Sequence, residues 1–218
     1  MRELDGIERE VGENADLSII WLHGLGADSS DFLPVIGQLE LPTAVRFVFP
    51  NAPLRQVTIN GGMVMRAWYD IMGFGPDAPV DADGLMQSVA IVRRLIQREL
   101  DRGIARKRVV LAGFSQGGAV VLHAGLGDGD SIGGIVGLST YLPAAHLLES
   151  ATIPTDVPVM LAHGTHDQVI SLTLAEKSAE FLKASAVDVD WSTYPMGHEL
   201  SLKEIQDLSD WLRRFESQ

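Results

Sequence analysis

The pentapeptide Gly113-Phe114-Ser115-Gln116-Gly117 has the plainest chemical content in the sequence. It closes the apolar run Arg108–Gly113 and precedes a helix-compatible run from Gly118 to Leu126. G-x-S-x-G between a strand and a helix is the pattern of a nucleophile elbow. The reason is steric. A tight turn holds the serine in a strained conformation with its hydroxyl exposed, and side chains two positions away on either side would clash. The N-terminus of the following helix then favours negative charge developing on a substrate oxygen. The chemistry this suits is acyl transfer through a serine.

A hydroxyl is a weak nucleophile until a base takes its proton. The base is expected to be a histidine oriented by a carboxylate. After an elbow serine, the acid and then the histidine follow in chain order. His123, His146, His163, His166 and His198 come after Ser115. His123 falls two turns into the following helix, and His146 lies in a segment of helix character. His163 and His166 precede or adjoin the best acid. His198, in Pro195-Met196-Gly197-His198, follows the last strand-like run on a turn that can swing an imidazole over a sheet, and is the candidate base. Asp167 is the candidate acid. It follows the run Val157–Ala162 by a short loop, and loops at the carboxyl ends of parallel strands form the crevice where such sites sit. Asp156 precedes that run at the wrong end. Asp188 and Asp190 lie within an alternating run, and Asp128 and Asp130 lie at the far end of the post-serine helix. An oxyanion hole needs two backbone N–H donors. Gln116, the residue after the serine, is one. Leu25, between glycines in Trp21-Leu22-His23-Gly24-Leu25-Gly26, is the other.

These residues need a sheet to hold them. Ser18–Leu22, Val45–Phe49, Arg108–Gly113, Gly134–Leu138 and Val157–Ala162 are short and continuously apolar, as parallel strands covered on both faces are. Val187–Tyr194 alternates and reads as a more exposed edge strand. Leu85, Val89, Val92, Leu95, Ile96 and Leu100 make one helical stripe, with Arg93, Arg94, Gln97 and Arg98 off it in solvent. Ile205, Leu208, Trp211, Leu212 and Phe215 mark a C-terminal helix that packs back on the body. Strand–helix alternation predicts an α/β fold with a mostly parallel sheet flanked by helices on both faces. Residues 50–82 show no period, and an excursion of that length is more often functional than structural. Met63, Met65, Trp68, Met72 and Phe74 make it apolar. Met65 and Trp68 are candidate lining of a substrate pocket, where methionine repacks around different chains; the alternative is that these residues cover core. The segment 61–76 is also a candidate homodimer surface.

Composition narrows the class. The 218 residues, with no repeat, low-complexity tract or long linker, read as one domain over 1–218. Cysteine is absent, which excludes disulfides, thiolate zinc, iron–sulfur clusters and a cysteine nucleophile. With 17 Lys+Arg against 29 Asp+Glu, the net charge of −12 disfavours nucleic acid and anionic membranes. The N-terminus Met1–Gly6 lacks the pattern of a signal peptide, and no apolar run approaches a spanning helix, so the reading is cytoplasmic with no membrane insertion. The serine chemistry needs no metal and no cofactor.

The sequence resembles the carboxylesterase/acyl-protein thioesterase, or phospholipase/carboxylesterase, family of α/β-hydrolases from about Ile19 to Leu212. The matching stretches are the His-Gly-Leu-Gly and elbow motifs, Asn51-Ala52-Pro53, Thr58–Gly62, Trp68-Tyr69-Asp70, Leu138–Pro143, His163-Gly164 with Asp167, and Tyr194–His198. The resemblance implies Ser115, Asp167 and His198 as catalytic triad and Leu25 and Gln116 as oxyanion donors. It implies a small acyl ester, or an acylated protein or lipid, as substrate. Arg66-Ala67 departs from it, standing where family members commonly carry a Pro-Ser or similar pair. A lysophospholipase or general lipid esterase with the same triad fits the same residues. A catalytically silent binding protein of this fold is the non-enzyme alternative.

Overall fold

The computed structural model describes residues 5–73, 78–127, 129–149 and 151–216; Phe74 and Asp128, named above, lie outside them, as does most of Met1–Gly6. Nine strands and six helices run in the order β1 (Gly6–Val11), β2 (Leu17–Leu22), α1 (Leu33–Ile36), β3 (Val45–Pro50), β4 (Leu54–Val57), β5 (Met63–Arg66), α2 (Ala82–Asp101), β6 (Val109–Phe114), α3 (Gln116–Leu126), β7 (Gly134–Leu138), α4 (His146–Glu149), β8 (Val159–Gly164), α5 (Leu172–Ala184), β9 (Val189–Tyr194) and α6 (Leu202–Leu212) among the described residues. Seven strands form one sheet in the order β1-β3-β2-β6-β7-β8-β9. Every pairing is parallel except β1 with β3. This is the α/β architecture expected.

The apolar runs become strands because both faces of the sheet are covered. Along β2, Ile20 and Leu22 pack on one side and Ile19 and Trp21 on the other, all nearly inaccessible. The first side is covered by α2, α3 and α5, through residues such as Val89, Leu122 and Leu182. The second is covered by α6, through Ile205, Leu208 and Trp211, and by Val35 of α1. Strand β9 is the edge strand its alternation predicted.

Strand β1, helix α5 and the β4–β5 hairpin are elements beyond those the sequence pattern predicts. Strand β1 alternates charge along an exposed edge, so no apolar run announces it. Helix α5 buries Ala175, Ser178, Ala179 and Leu182, small residues that make a faint stripe. Within α2 the solvated side needs a correction. Arg98 pairs with Glu8 at 2.8 Å. Glu99 is wholly buried and takes Arg46 at 3.3 Å, Arg102 at 3.1 Å and the Ser18 hydroxyl at 3.1 Å. A buried carboxylate persists only when it is paired this fully.

Helix α6 opens on a capping box. Glu204 N–H donates to Ser201 Oγ at 3.2 Å, and the Glu204 carboxylate accepts from Ser201 N–H at 3.3 Å. Burial pushes Glu204 up to about 8, against the opposing effect of the Ser201 N–H and with a smaller push from Asp207. A carboxyl whose folded pKa is raised contributes stability that is whole below the ordinary carboxylate range and is lost as pH rises through the folded value. Urea unfolding should therefore show wild type losing stability relative to Glu204→Gln between about pH 5 and about pH 9. A gap that stays constant across that range would remove Glu204 as the titrating group.

Candidate active site

Strand β6 delivers Ser115 into a turn at φ 53° and ψ −119°. Glycine is required on both sides by close approach. A Cβ on Gly117 would stand 2.5 Å from the Leu22 carbonyl oxygen, and one on Gly113 would stand 2.5 Å from Gly118 N. The elbow is held from the sheet. Ser115 N–H donates to Leu138 O at 2.9 Å, and Thr140 Oγ1 donates to Ser115 O at 2.7 Å.

Three residues far apart in sequence meet here. Ser115 Oγ lies 2.9 Å from His198 Nε2, and His198 Nδ1 lies 2.7 Å from Asp167 Oδ2. An ionised carboxylate only accepts, so Nδ1 carries the proton and Nε2 is left to accept from the serine hydroxyl. Asp167 Oδ1 accepts from the Val169 and Ile170 N–H groups at 2.8 and 2.9 Å. The Asp167 side chain is inaccessible to solvent and that of His198 is 18% exposed, so the imidazole is reachable while the carboxylate is sealed.

The other histidines are structural or exposed. His123 lies 2.7 Å from Pro143 O, and His146 and His166 are exposed. His163 is buried inside β8, 2.9 Å from Ile170 O and 3.4 Å from Asp167 Oδ2. It ties down the turn that presents the acid. His23, which precedes the elbow serine in sequence, is also a brace. Ala52 N–H donates to its Nε2 at 3.0 Å, so its Nδ1–H donates to Gly24 O at 2.7 Å. Burial lowers its pKa and keeps it neutral in that role.

Leu25 and Gln116 both line a cavity of about 240 Å³ that opens at Ser115 and His198. Among the described residues neither backbone N–H has a hydrogen-bond partner. The Gly26 N–H donates to Arg66 O at 2.9 Å, which steadies the Leu25 loop through the residue that departs from the family pattern. The Gln116 side chain does more than its sequence position suggested. Its Oε1 accepts from Trp68 N–H at 2.8 Å and its Nε2 donates to Tyr69 O at 2.7 Å. One residue thus carries a free N–H at the serine and grips the excursion between β3 and α2, the strap, across the cavity.

The lining differs from the expected Met65 and Trp68. Neither is among the described residues that wall the cavity. Trp68 is fully buried, with its indole N–H donating to His23 O at 2.9 Å. Met65 is half-buried and lies near Gly26, accepting from Asn60 Nδ2 at 3.2 Å. Tyr69 and Ile71, the next residues on the strap, wall the cavity with Tyr141, Val169 and Ile170. A second cavity of about 350 Å³ shares Tyr69, Ile71 and Tyr141 as walls. Among the described residues no group of three or more His, Asp and Glu side chains could hold a metal.

A serine, an imidazole and a carboxylate in hydrogen-bonded sequence, at the carboxyl edge of a helix-covered parallel sheet, define an α/β-hydrolase of the serine type. The chain belongs to the Phospholipase/Carboxylesterase family, whose sequence profile matches residues 9–215. It is 36% identical over 210 residues to an acyl-protein thioesterase 1 of Gibberella zeae, covering 90% of this chain and 89% of that protein. It is 37% identical over 204 residues to an acyl-protein thioesterase 1 of Yarrowia lipolytica, covering 89% and 90%. The crystal structure of Arabidopsis thaliana SOBER1 superposes with a TM-score of 0.86 at 30% identity, over 91% of this chain and 98% of that one. As a family member, the chain is a hydrolase of the ester-cleaving class.

Gln116→Ala should leave the backbone donor in place but strand Trp68 N–H and Tyr69 O. Each stranded buried group costs about 1–3 kcal/mol. Urea unfolding at constant pH measures the loss, and an unchanged midpoint would show that the side-chain grip is not needed.

Proposed function

We propose that Ser115 is the nucleophile, His198 the general base and Asp167 its orienting acid in the hydrolysis of carboxylic esters and thioesters. The single observation that carries this is the unbroken chain Ser115 Oγ–His198 Nε2 and His198 Nδ1–Asp167 Oδ2, at 2.9 and 2.7 Å. Ser115 Oγ attacks the acyl carbonyl carbon as its proton passes to His198 Nε2. The Leu25 and Gln116 N–H groups receive the oxyanion. Collapse expels the alcohol or thiol, which takes the proton from His198 and leaves an acyl-serine. Water then enters with His198 as base, and the carboxylic acid departs.

The apolar wall of Tyr69, Ile71 and Tyr141 supports binding of the acyl chain on that side, with the second cavity behind it. An acylated protein is the substrate favoured, because the acyl-protein thioesterase relatives match over about nine-tenths of the chain. The reading extends to a single domain over the whole chain and a cytoplasmic location; among the described residues no helix is long and apolar enough to cross a membrane. A homodimer belongs to it as well, through the hairpin face where Leu54, Met63 and Val64 are exposed. Light scattering decides that point.

Ser115→Ala should lower kcat for a p-nitrophenyl ester by about four to six powers of ten. It should also abolish labelling by a fluorophosphonate probe. Near-normal turnover in that variant would overturn the assignment.

A further inference from the structure

We propose that Asp31 selects leaving groups that carry a positive charge, a reading that rests on the Ser115 assignment. The tetrahedral carbon has three substituents to place besides Ser115 Oγ. The oxygen goes to the Leu25 and Gln116 N–H groups. The leaving atom must lie within reach of His198 Nε2, which protonates it. The acyl chain takes the remaining direction, along the apolar wall of Tyr69, Ile71 and Tyr141.

The leaving group is left the part of the cavity lining outside that wall, which includes Ala27, Asp31 and Phe114. The Phe114 ring lies 4.8 Å from the His198 ring, and the Phe32 ring lies 5.8 Å from Phe114. Asp31 precedes Phe32 and lines the same cavity, as Ala27 does. It is the one carboxylate among the described lining residues, and no Lys or Arg is among them. Among the described residues no hydrogen bond or ion pair engages its carboxylate, and Asp31 is exposed. Its neighbours are already committed. Asp28 accepts from the Ser30 N–H at 2.8 Å and hydroxyl at 2.6 Å, and Arg66 is bound to Ala52 O and to Asp5. A leaving group approaching His198 therefore meets one uncompensated negative charge, in a chain whose net charge of −12 already attracts cations. The class this favours is a cationic alcohol or thiol: a quaternary amine a few bonds from the scissile atom, or an acylated cysteine beside a basic residue.

The test compares two thioesters of equal shape: acetylthiocholine and its carbon isostere, in which a tert-butyl group replaces trimethylammonium. In the intact protein the ratio of kcat/KM for the cation to that for the isostere should exceed one. Asp31→Asn should lower the ratio about two- to fivefold, the range of an exposed ion pair, with the change in KM rather than kcat. Asp31→Lys should lower it further. Asp188→Asn makes the same change in net charge on an exposed residue at the opposite end of the sheet, and should leave the ratio unaltered. Acyl-cysteine peptides with Lys or Gln next to the acylated residue, run through the same variants, tell a basic peptide from a small cation. A ratio that falls with Asp31→Asn in either pair supports the proposal and names the source. A ratio the same in wild type and Asp31→Asn for both pairs, or one that falls equally in Asp188→Asn, overturns it. Wild type that turns over none of these thioesters, does not hydrolyse the p-nitrophenyl ester and does not label with the fluorophosphonate would instead defeat the Ser115 reading, which keeps the two failures apart.

Discussion

Ser115 holds φ 53° and ψ −119°, a backbone state that costs a non-glycine residue about 1–3 kcal/mol and persists only where the surroundings over-determine it. Much of the molecule supplies that determination. Strand β6 sits between β2 and β7, so its end cannot shift sideways. Strand β7 then lends the Leu138 carbonyl to the Ser115 N–H, and Thr140 binds the Ser115 carbonyl. The close passes of Gly113 and Gly117 allow helix α3 to start at once, so that Gln116 N–H, first in the helix, has no partner inside it. Strain at the serine and a free donor beside it are therefore one feature.

Imidazole is used three ways within a small region, and partners decide which. His23 accepts a backbone N–H and gives one hydrogen bond back, so it is a neutral cross-link under the Leu25 loop. His163, wholly buried, links β8 to the turn at Ile170. His198 alone has both a carboxylate behind it and a hydroxyl in front, and it is open enough for substrate to reach. The protein thus fixes the Asp167 carboxylate through backbone N–H groups and a buried ring, and leaves the His198 ring partly open.

How much of this was legible in sequence depended on the kind of signal. The central strands could be read because burial on both faces forces unbroken apolar runs such as Ile19-Ile20-Trp21-Leu22. The meeting of Ser115, Asp167 and His198 followed from chain order and from strand ends, which sequence carries. Strand β1 could not be read, since Glu8, Arg9 and Glu10 lie on an open edge where nothing demands apolar residues. Nor could Glu99, whose burial depends on Ser18 and Arg46 arriving from β2 and β3 beside Arg102 at the end of its own helix. The strap was half legible. Its apolar composition was evident, but which residue faces the cavity is set by the indole N–H of Trp68 finding the His23 carbonyl. That bond turns Trp68 into the core and leaves Tyr69 and Ile71 on the wall.

The division between sheet and strap has a consequence for how selectivity and chemistry are coupled. Ser115, Asp167 and His198 all stand on connections leaving β6, β8 and β9. Tyr69 and Ile71 belong to the excursion between β3 and α2, which contributes none of the three. Among the described residues the polar points where the two parts touch include Gln116 with Trp68 and Tyr69, His23 with Trp68 and Ala52, Ser29 with Asn51, and Gly26 with Arg66. The bonds of Gln116, His23 and Gly26 end on, or within two residues of, one of the two free N–H donors. A change in the strap therefore reaches the Leu25 and Gln116 N–H groups before it reaches the Ser115 hydroxyl or the His198 ring. Side chains on the wall can vary with the acyl group at little cost to the chemistry, provided the strap backbone that receives those bonds stays where it is.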